Sequence, residues 1–352
     1  MLDLTQLRTP IVLAPMAGGF NTPALAAAVA EGGGVGSFGF AYSTPEAIER
    51  CLAETKQLSA GPLNANFFVF SDVSEPGADQ YQHAQAALRA LSAAGPFDVK
   101  WPTPPFFQDL AAQLEPVWQQ RPEVLTFHFG IPDEAIIQRA HELDICVGVT
   151  ATCISEALAI QAAGADFIVA QGWEAGGHRG CFDPNKPDDA LDTGALTALL
   201  AEKVSLSFVA AGGLMMAADI ARVIDKGACA AQLGTAFLAC PEAGSSSTHR
   251  RFLLEESGRE TTFTWAFSGR PARGIRNAFM QAMEGQPLLP FPLQNTLTGG
   301  LRRWAGASGN YEYQSVWAGT GVSALQELPA TQLMDQLVSG LKKEISLQRL
   351  AG

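Results

Sequence analysis

Residues 145–171 read ICVGVTATCISEALAIQAAGADFIVAQ, and this stretch decides the fold class. It contains two apolar runs, Ile145–Thr150 and Asp166–Gln171, separated by the alanine-rich helical segment Ile154–Ala163. Both runs are continuously apolar rather than alternating, which is typical of strands buried on both faces of a parallel sheet. Gly164 follows the helical segment as a stop signal. The stretch therefore predicts one β-α-β unit.

The same pattern recurs along the chain, with eight apolar runs that are mostly followed by helical segments. Such an alternation predicts an α/β fold, a (β/α)8 TIM barrel, with a doubly wound open sheet as the alternative. The predicted strands are Ile11–Met16, Val35–Phe40, Leu63–Val69, Val124–Phe129, Ile145–Thr150, Asp166–Gln171, Leu206–Ala211 and Cys229–Leu238. The predicted helices are Thr22–Ala30, Thr44–Thr55, Asp133–His141, Ile154–Ala163, Gly194–Ala201 and Met216–Ile224.

Two segments depart from this alternation. Residues 71–123 are too long for one βα connection, so we predict an inserted lid with a helix at Gln80–Ala94. The residues after Leu238 predict a C-terminal helical extension that packs on the barrel. We accordingly divide the chain into a barrel, 1–240, and a tail, 241–352. In the tail we expect helices at Thr248–Ser257 and Thr331–Ser346 and loops at Gly269–Asn277 and Pro287–Gly300.

The composition excludes several classes of protein. Hydrophobic residues make up 47% of the 352 residues and charged residues 16%, which excludes intrinsic disorder. The net charge of −12 argues against binding nucleic acid or an anionic membrane surface, because both need clustered positive charge. No signal peptide, membrane-spanning stretch or CxxC pair is visible, so we predict a cytoplasmic protein with reduced cysteines. The oligomeric state stays open, with a homodimer as one option.

Glycines lie near the carboxyl ends of the last two predicted barrel strands. Gly212-Gly213 follows strand seven, and Gly234-Thr235 lies within strand eight. Function in a barrel sits at the carboxyl ends of the strands, and the ends of strands seven and eight often hold phosphate. Bare backbone N–H groups beside helix N-termini can cradle a phosphate without Lys or Arg. The alternative interpretation is that these glycines only form tight turns. The pair of sites favours a phosphate cradle.

Two histidines lie at predicted strand ends. His178 is flanked by glycines in Gly176-Gly177-His178-Arg179-Gly180, where it is well placed for proton transfer near neutral pH. The alternative is an ordinary surface histidine. We predict that His128 and Phe38 line the substrate pocket. The aromatic residues expected around that pocket are Phe38, Phe40, Phe67, Phe68 and Trp173.

Other catalytic signatures are missing from the sequence. There is no zinc-ligand spacing, no G-x-S-x-G nucleophile elbow and no Walker motif, and we predict no metal site. A phosphate cradle, an aromatic pocket and few acids or bases fit a flavin better than a hydrolase.

At these motifs the chain resembles the nitronate monooxygenase family, formerly called 2-nitropropane dioxygenases. The most specific match is Gly164-Ala165-Asp166 through Gly180, and the resemblance covers most of the chain. It implies FMN bound in a barrel and oxidative denitrification of alkyl nitronates by O₂, giving a carbonyl compound and nitrite. The supporting matches are Ala14-Pro15-Met16, Asn66, Phe127-His128-Phe129-Gly130, Ala211-Gly212-Gly213, Gln232-Leu233-Gly234-Thr235, Phe267 through Gly274, and Trp317-Ala318-Gly319.

The resemblance also implies roles for individual residues. It makes His178 the catalytic base or proton relay and brings Thr150 near the isoalloxazine ring. One departure is Thr320, where many relatives carry glutamine, which puts the tail's contribution to the pocket in doubt. The implied flavin contacts are Pro15, Met16, Asn66, Gln171, Gly176 and Gly177, and the implied phosphate contacts are Gly212, Gly213, Gly234 and Thr235 with Gln232 close by.

Three alternative functions stay open at this point. The first is an NAD(P)H-dependent quinone reductase or enoyl-thioester reductase of the same barrel superfamily, since these share the loop that carries His178. The second is a flavin-binding protein without turnover. The third is a barrel that binds a phosphorylated sugar and no flavin.

Overall fold

The structure is a computed structural model that describes residues 1–70 and 75–351, with side chains up to residue 347. Residues 71–74, at the start of the predicted insertion, lie outside this description. The described chain forms one large parallel sheet and one small antiparallel sheet. The strands are β1 (Ile11–Leu13), β2 (Gly36–Gly39), β3 (Leu63–Phe68), β4 (Val124–His128), β5 (Cys146–Ala151), β6 (Phe167–Gln171), β7 (Gly177–His178), β8 (Ser207–Ala211), β9 (Ala230–Leu233), β10 (Thr261–Thr264) and β11 (Ala272–Ile275).

The large sheet closes into a barrel. Its eight strands run parallel in the order β1-β9-β8-β6-β5-β4-β3-β2. The two end strands then meet through a parallel bridge between Val12 and Val35. There the Leu13 N–H donates to the Val35 carbonyl and the Val35 N–H donates to the Ile11 carbonyl, both at 2.9 Å. The TIM barrel prediction is confirmed, and the open sheet is excluded.

Helices surround the barrel, and their starts follow ordinary capping rules. Thr22 caps α1 by accepting from the Leu25 N–H, and Pro23 occupies the first helical position. The predicted helices are confirmed within a few residues. The α-helices are α1 (Pro23–Glu31), α2 (Pro45–Leu58), α3 (Ala78–Arg89), α4 (Leu110–Gln120), α5 (Glu134–Glu142), α6 (Ile154–Ala162), α7 (Thr193–Lys203), α8 (Ala217–Asp225), α9 (Ser247–Glu255), α10 (Ala278–Ala282), α11 (Leu293–Leu297), α12 (Gly299–Ser308) and α13 (Ala330–Ala351).

The two faces of the strands divide the hydrophobic core. Residues that point into the barrel form an apolar layer that includes Val12, Val124 and Val209. Their neighbours along the strands point toward the helices, and Leu13 and Leu125 belong to that larger outer core. The alternation follows from the two-residue period of a strand. It decides which side chains at the strand ends can reach a ligand.

The predicted insertion is shorter than 71–123. Helix α4, which had been assigned to the lid, packs on α2 and is the crossover helix between β3 and β4. The chain forms this helix in spite of Pro116, which the helix holds in its interior. The predicted lid helix at Gln80–Ala94 is confirmed as α3 with a 3₁₀ turn over Ala90–Ala94.

The tail contains the predicted C-terminal helical extension, and it also contains two strands. Strand β11 lies where a loop was expected at Gly269–Asn277, and α11 and the start of α12 lie within the expected loop Pro287–Gly300. The tail pairs β10 with β11, and β11 pairs with β7, so the tail supplies two strands of the small sheet. The tail and α3 also share one hydrophobic cluster that contains Tyr81, Leu88, Phe267 and Leu301. We call this combined layer of insertion and tail the cap.

The last helix belongs to the outer layer of the barrel. Helix α13 packs against α8 and α1, in the position where the helix after β9 would lie. The division into 1–240 and 241–352 stays a prediction. An experiment that separates these two parts must take into account that α13, from the second part, packs on helices of the first. Among the described residues, none of the helices has the length and apolar character needed to cross a membrane.

Candidate active site

A cavity of about 630 Å³ opens at the carboxyl ends of the barrel strands, between the strands and the cap. Residues Asn66, His128, Thr150, Gln171 and Gln232 reach it because they lie on the inward face of their strands. All of the predicted site residues but one line this cavity. They are Pro15, Met16, Asn66, His128, Thr150, Gln171, Gly176, Gly177, His178, Gly212, Gly213, Gln232, Gly234 and Thr235.

The exception is Phe38, and its assignment to the substrate pocket is wrong. Its neighbour Ser37 points into the barrel, where its hydroxyl accepts a hydrogen bond from Asn64 at 3.3 Å. The period of the strand therefore turns Phe38 toward the helices, where it is 2% exposed and stacks on Phe40 at 5.1 Å. Of the five aromatic residues expected around the pocket, Phe68 alone is part of the cavity wall in the described chain.

One end of the cavity carries free backbone donors. The N–H groups of Gly212, Gly213, Gly234 and Thr235 donate to no acceptor in the described part of the chain. Gly212 has φ +125° and Gly213 has φ +67°, so other residues would strain the backbone there. A Cβ on Gly213 would lie 2.9 Å from the Cβ of Glu174. We call these four residues the amide cradle.

The amide cradle is built from loop amides and not from a long helix N-terminus as predicted. The N–H groups of Met215 and Met216, at the start of α8, already donate to Asp219 at 2.9 and 3.0 Å. After β9 the chain forms only a short 3₁₀ turn, Thr235–Phe237. The cradle therefore depends on glycine geometry at the strand ends.

The tail completes this end of the cavity. The Gly319 N–H donates to the Thr235 hydroxyl at 3.0 Å, and the Thr320 N–H donates to the Glu174 carbonyl at 3.0 Å. A Cβ on Gly213 would lie 3.2 Å from the Thr320 hydroxyl oxygen. The tail, including Thr320, thus lies against the cradle.

His178 lies on a short strand and not on a free loop. Strand β7 pairs with β11 of the tail, and His178 is opposite Ala272. The Gln171 side chain holds this strand from the barrel side, because its Nε2 donates to the His178 carbonyl at 2.9 Å and its Oε1 accepts from the Gly180 N–H at 2.7 Å. The backbone that carries His178 is therefore held from two directions.

Arg179 also holds the segment that carries His178. Its side chain is 1% exposed and forms a bidentate pair with Asp188 at 2.7 and 2.9 Å. It also donates to the Gln171 carbonyl at 2.6 Å. A buried arginine needs such full pairing, since a lone buried charge is costly. The pair makes the His178 segment rigid.

The hydrogen bonds of Ser268 assign the tautomer of His178. The Ser268 hydroxyl donates to the Arg270 carbonyl at 3.0 Å, so it has no hydrogen left for His178. His178 Nε2 lies 2.9 Å from the same hydroxyl oxygen and must therefore donate to it. The unprotonated nitrogen is then Nδ1, which has no hydrogen-bond partner in the described chain. A neutral imidazole in this tautomer carries its basic lone pair on Nδ1.

His128 differs from His178 because both of its ring nitrogens are engaged. Nδ1 lies 3.0 Å from the Thr150 hydroxyl and Nε2 lies 3.3 Å from the His178 carbonyl. Since a carbonyl only accepts, Nε2 carries the hydrogen and Nδ1 accepts from Thr150. His128 thus positions the His178 backbone and has no free basic nitrogen.

Both histidines are neutral near pH 7. Burial lowers the pKa of His178 to about 3, a proton on His128 would lower it further, and the charges of Arg270 and Arg302 act in the same direction. Burial lowers the pKa of His128 to about 3 as well, with Arg270 adding to the effect. An imidazolium at His178 is therefore disfavoured in the ligand-free cavity, and the imidazole becomes a stronger base only when a nearby negative charge favours its protonated form.

Comparison with known proteins agrees with this site. A family model described as nitronate monooxygenase matches residues 2–340. The chain belongs to the nitronate monooxygenase family. A nitronate monooxygenase from Paraburkholderia phytofirmans is 40% identical, with 99% of this chain and 96% of that protein covered. One from Pseudomonas aeruginosa is 38% identical, with 96% of this chain and 98% of that protein covered.

Solved structures with the same barrel support the family assignment. The structure of a nitroalkane oxidase from Streptomyces ansochromogenes superposes with a TM-score of 0.91 at 36% identity and covers 98% of this chain and 99% of its own. FabK from Thermotoga maritima superposes with a TM-score of 0.76 at 25% identity, covering 99% and 98%. Membership of the nitronate monooxygenase family makes the chain an oxidoreductase that acts on nitronates or nitroalkanes.

Sequence reasoning missed several residues of this nitronate monooxygenase site. Ser268 lies in the tail motif Phe267 through Gly274, with no sign in the sequence that it contacts His178. The pairing of β11 with β7 brings the two residues together. Tyr42 and Arg302 line the cavity from the turn after β2 and from α12. Arg302 carried no recognisable signal, since the segment before it was expected to be a loop.

Proposed function

We propose that the protein is an FMN-dependent nitronate monooxygenase that converts alkyl nitronates and O₂ into carbonyl compounds and nitrite. The observation that carries this proposal is the neutral His178, whose Nδ1 has no hydrogen-bond partner in the described chain. His178 lines the same cavity that has the amide cradle at another end. An amide cradle suits the phosphate of a cofactor, and a positioned neutral imidazole suits proton removal from carbon.

The residues of the cavity fit FMN. Four unused N–H groups with glycine geometry match a dianionic phosphate, which accepts several hydrogen bonds without needing a cationic side chain. When bound, FMN would supply the electron transfer that O₂ chemistry requires. The residues that would border the ring and the ribityl chain are Pro15, Met16, Asn66, Thr150, Gln171, Gly176, Gly177 and Gln232.

The reaction balances without a further reductant. Two nitronate anions and one O₂ contain the atoms and charge of two carbonyl molecules and two nitrite ions. A neutral nitroalkane must first lose its α-proton, and His178 Nδ1 would accept that proton. Ser268 would keep the ring in the required tautomer, and Gln171 would keep its backbone in place.

An anaerobic absorbance experiment tests the proposal. The purified protein should show flavin bands, and an alkyl nitronate should bleach them within seconds while NADH leaves them unchanged. Nitrite and carbonyl should then appear in equal amounts when O₂ is admitted. Rapid bleaching by NADH instead would favour the reductase alternative.

The remaining alternatives have their own signatures in the same experiment. A flavin-binding protein without turnover would keep its bands with both reagents, and a sugar-phosphate barrel would have no bands. O₂ and a small nitronate are the partners that this proposal implies. The cytoplasmic location and a homodimer stay predictions.

A further inference from the structure

One face of helix α12 forms the wall of the cavity on the cap side. Gly299, Arg302, Arg303, Gly306 and Ala307 all line the cavity. The two arginines are the full positive charges of the wall, and the described lining contains no Asp, Glu or Lys. An acidic protein of net charge −12 thus presents cations to its own active-site cavity.

Arg302 is held in place but incompletely paired. Its Nη2 donates to the backbone carbonyl and to the side-chain oxygen of Asn295 at 2.6 and 2.9 Å. Its Nε is buried and finds no acceptor within the described chain. No carboxylate lies within 4 Å of its guanidinium among the described ion pairs. Arg303, in contrast, is exposed.

This situation is unusual for a folded protein. Buried guanidinium groups are normally satisfied by a carboxylate and by carbonyl oxygens, as Arg179 is here. An orphaned N–H on a charged group costs more than one on a neutral group. The buried Nε does not face the cavity, but Nη1 makes no hydrogen bond within the described chain and is not buried, so an anion in the cavity can pair with it.

Arg302 lies on the side of the cavity that carries Tyr42. The cradle follows β8 and β9, whereas Tyr42 follows β2. Burial lowers the pKa of Arg302, and the charge interaction with Tyr42 opposes that shift. Ring contacts lead from Tyr42 to Phe68 at 5.8 Å and from Phe68 to His178 at 6.0 Å. These contacts connect the Tyr42 side of the cavity, where Arg302 lies, with His178.

We propose that Arg302 is the anion subsite of this cavity and binds a planar anion with two terminal oxygens that the substrate carries. That anion is either the nitronate group itself or a carboxylate at the other end of the substrate. A guanidinium presents parallel N–H groups that match such a pair of oxygens. This inference rests on the proposed function, because it assumes that the substrate is anionic.

The neutrality of His178 strengthens the argument. A histidine whose pKa lies at about 3 does not offer a positive charge at pH 7, so an anionic substrate must be held by another group. The charge of Arg302 is among the causes that lower the pKa of His178, which means that the two groups act on the same space. The positive charge and the base are thus supplied by two different side chains, Arg302 and His178.

Steady-state kinetics with three substrates tests the subsite. The substrates are a neutral nitroalkane, its nitronate, and a nitronate of similar length that ends in a carboxylate. If Arg302 binds the nitronate group, Arg302→Gln should lower kcat/KM for both nitronates at least about 30-fold relative to the nitroalkane. If it binds a carboxylate, only the third substrate should lose about 30-fold.

Matched variants guard against general effects of charge or misfolding. Arg251→Gln removes the same charge from an exposed position on α9, outside the cavity wall, and should change these ratios less than about threefold, because an exposed charge is screened. Arg302→Lys should restore part of the lost ratio. Equal losses for all three substrates, unchanged ratios, or an equal effect of Arg251→Gln would overturn the proposal.

A binding measurement separates this inference from the proposed function. Inorganic nitrate is planar and unreactive, and its Kd can be followed by the change that it causes in the flavin spectrum. Arg302→Gln should raise this Kd at least about tenfold and leave the Kd of FMN within about twofold. An unchanged nitrate Kd, or an equal loss of FMN affinity, would overturn the subsite even if no nitronate proves to be a substrate. An enzyme that ignores nitronates but binds nitrate through Arg302 would refute only the proposed function.

Discussion

Apart from the amide cradle and His178 Nδ1, the two walls of the cavity differ in how completely their polar groups are paired. On the strand wall, Asn66, His128 and Gln171 all make side-chain hydrogen bonds to neighbouring strands or loops. On the cap wall, Arg302 of α12 has a buried Nε without an acceptor. Paired groups are already arranged before a ligand arrives, whereas an unpaired group gains most when one binds. The comparison suggests that the strand wall holds the reacting groups and the cap wall selects the substrate.

The largest expected effect is on the strand wall. His178→Asn removes the free Nδ1 base, so kcat/KM for a neutral nitroalkane should fall about 10³-fold. Turnover of a preformed nitronate should fall much less, because no proton needs to leave. The measurement is oxygen consumption with each substrate at equal flavin content.

His249→Asn is the matched control for that variant. His249 is also buried with a pKa lowered to about 4 by burial, but it packs beside Phe20 and Tyr311, outside the cavity wall. Its replacement should leave both activities within about twofold, as expected for a change far from the reacting atoms. Equal losses in the two variants would show that histidine burial, and not base chemistry, explains the effect.

The next effect concerns the amide cradle. Gly212→Ala puts a side chain at φ +125°, with its Cβ 2.7 Å from the Thr193 hydroxyl oxygen, so the cradle must shift. We expect FMN affinity to fall between about tenfold and 100-fold, equivalent to the usual cost of such strain. Titration of the FMN-free protein with FMN measures it.

Gly164→Ala is the control, since Gly164 also has a positive φ, +82°, but nothing lies within 4 Å of its Cβ position. Both variants should lose stability, and only Gly212→Ala should lose FMN affinity. Comparable FMN affinity in the two would mean that the cradle does not hold the cofactor.

We predict an effect of intermediate size on the free energy of unfolding when the pH is lowered. The pKa values of His128 and His178 are lowered to about 3 in the folded chain, against an ordinary value near 6.5. The unfolded chain therefore binds protons first, and stability is complete above about pH 6.5 and declines as the pH falls toward 3. Between pH 7 and pH 5.5 the FMN-free protein should lose about 2 kcal/mol, allowing for water in the cavity. Urea unfolding at both pH values measures this, and an unchanged midpoint would contradict it.

The smallest effect separates orientation from chemistry. Ser268→Ala removes the acceptor for His178 Nε2, so part of the imidazole should adopt the other tautomer. We expect kcat/KM for a neutral nitroalkane to fall about tenfold with little change in FMN affinity. Ser268→Thr keeps the hydroxyl and should recover most of the activity. A Thr variant as slow as the Ala variant would argue against the role assigned to the hydroxyl.

The strand wall could be predicted from the sequence because two local rules determine it. Continuous apolar runs mark parallel strands, and in a barrel the carboxyl ends of those strands meet. Gly212, Gly234 and Gln171 could therefore be assigned to one site without any knowledge of long-range contacts. The same rules give the barrel and its helices to within a few residues.

The errors occur where the period of a strand or a distant partner decides the outcome. Phe38 was assigned by its position at a strand end, but the inward face of that strand belongs to Ser37. Strand β11 gains its identity only by pairing with β7 and β10, which lie elsewhere in the sequence. Helix α4 was not predicted, because the segment 71–123 was interpreted from its length as an insertion. The cap wall, including Arg302, depends on such distant packing and could not be predicted.

The pairing of β7 with β11 has a consequence for biosynthesis. Because His178 is aligned by Ala272 and contacts Ser268, its geometry requires residues that leave the ribosome about ninety positions later. A nascent chain that has already made all eight barrel strands still lacks an oriented base. The amide cradle also waits for the tail, because Gly319 and Thr320 complete it, so a prematurely terminated chain lacks both the finished cradle and the oriented base.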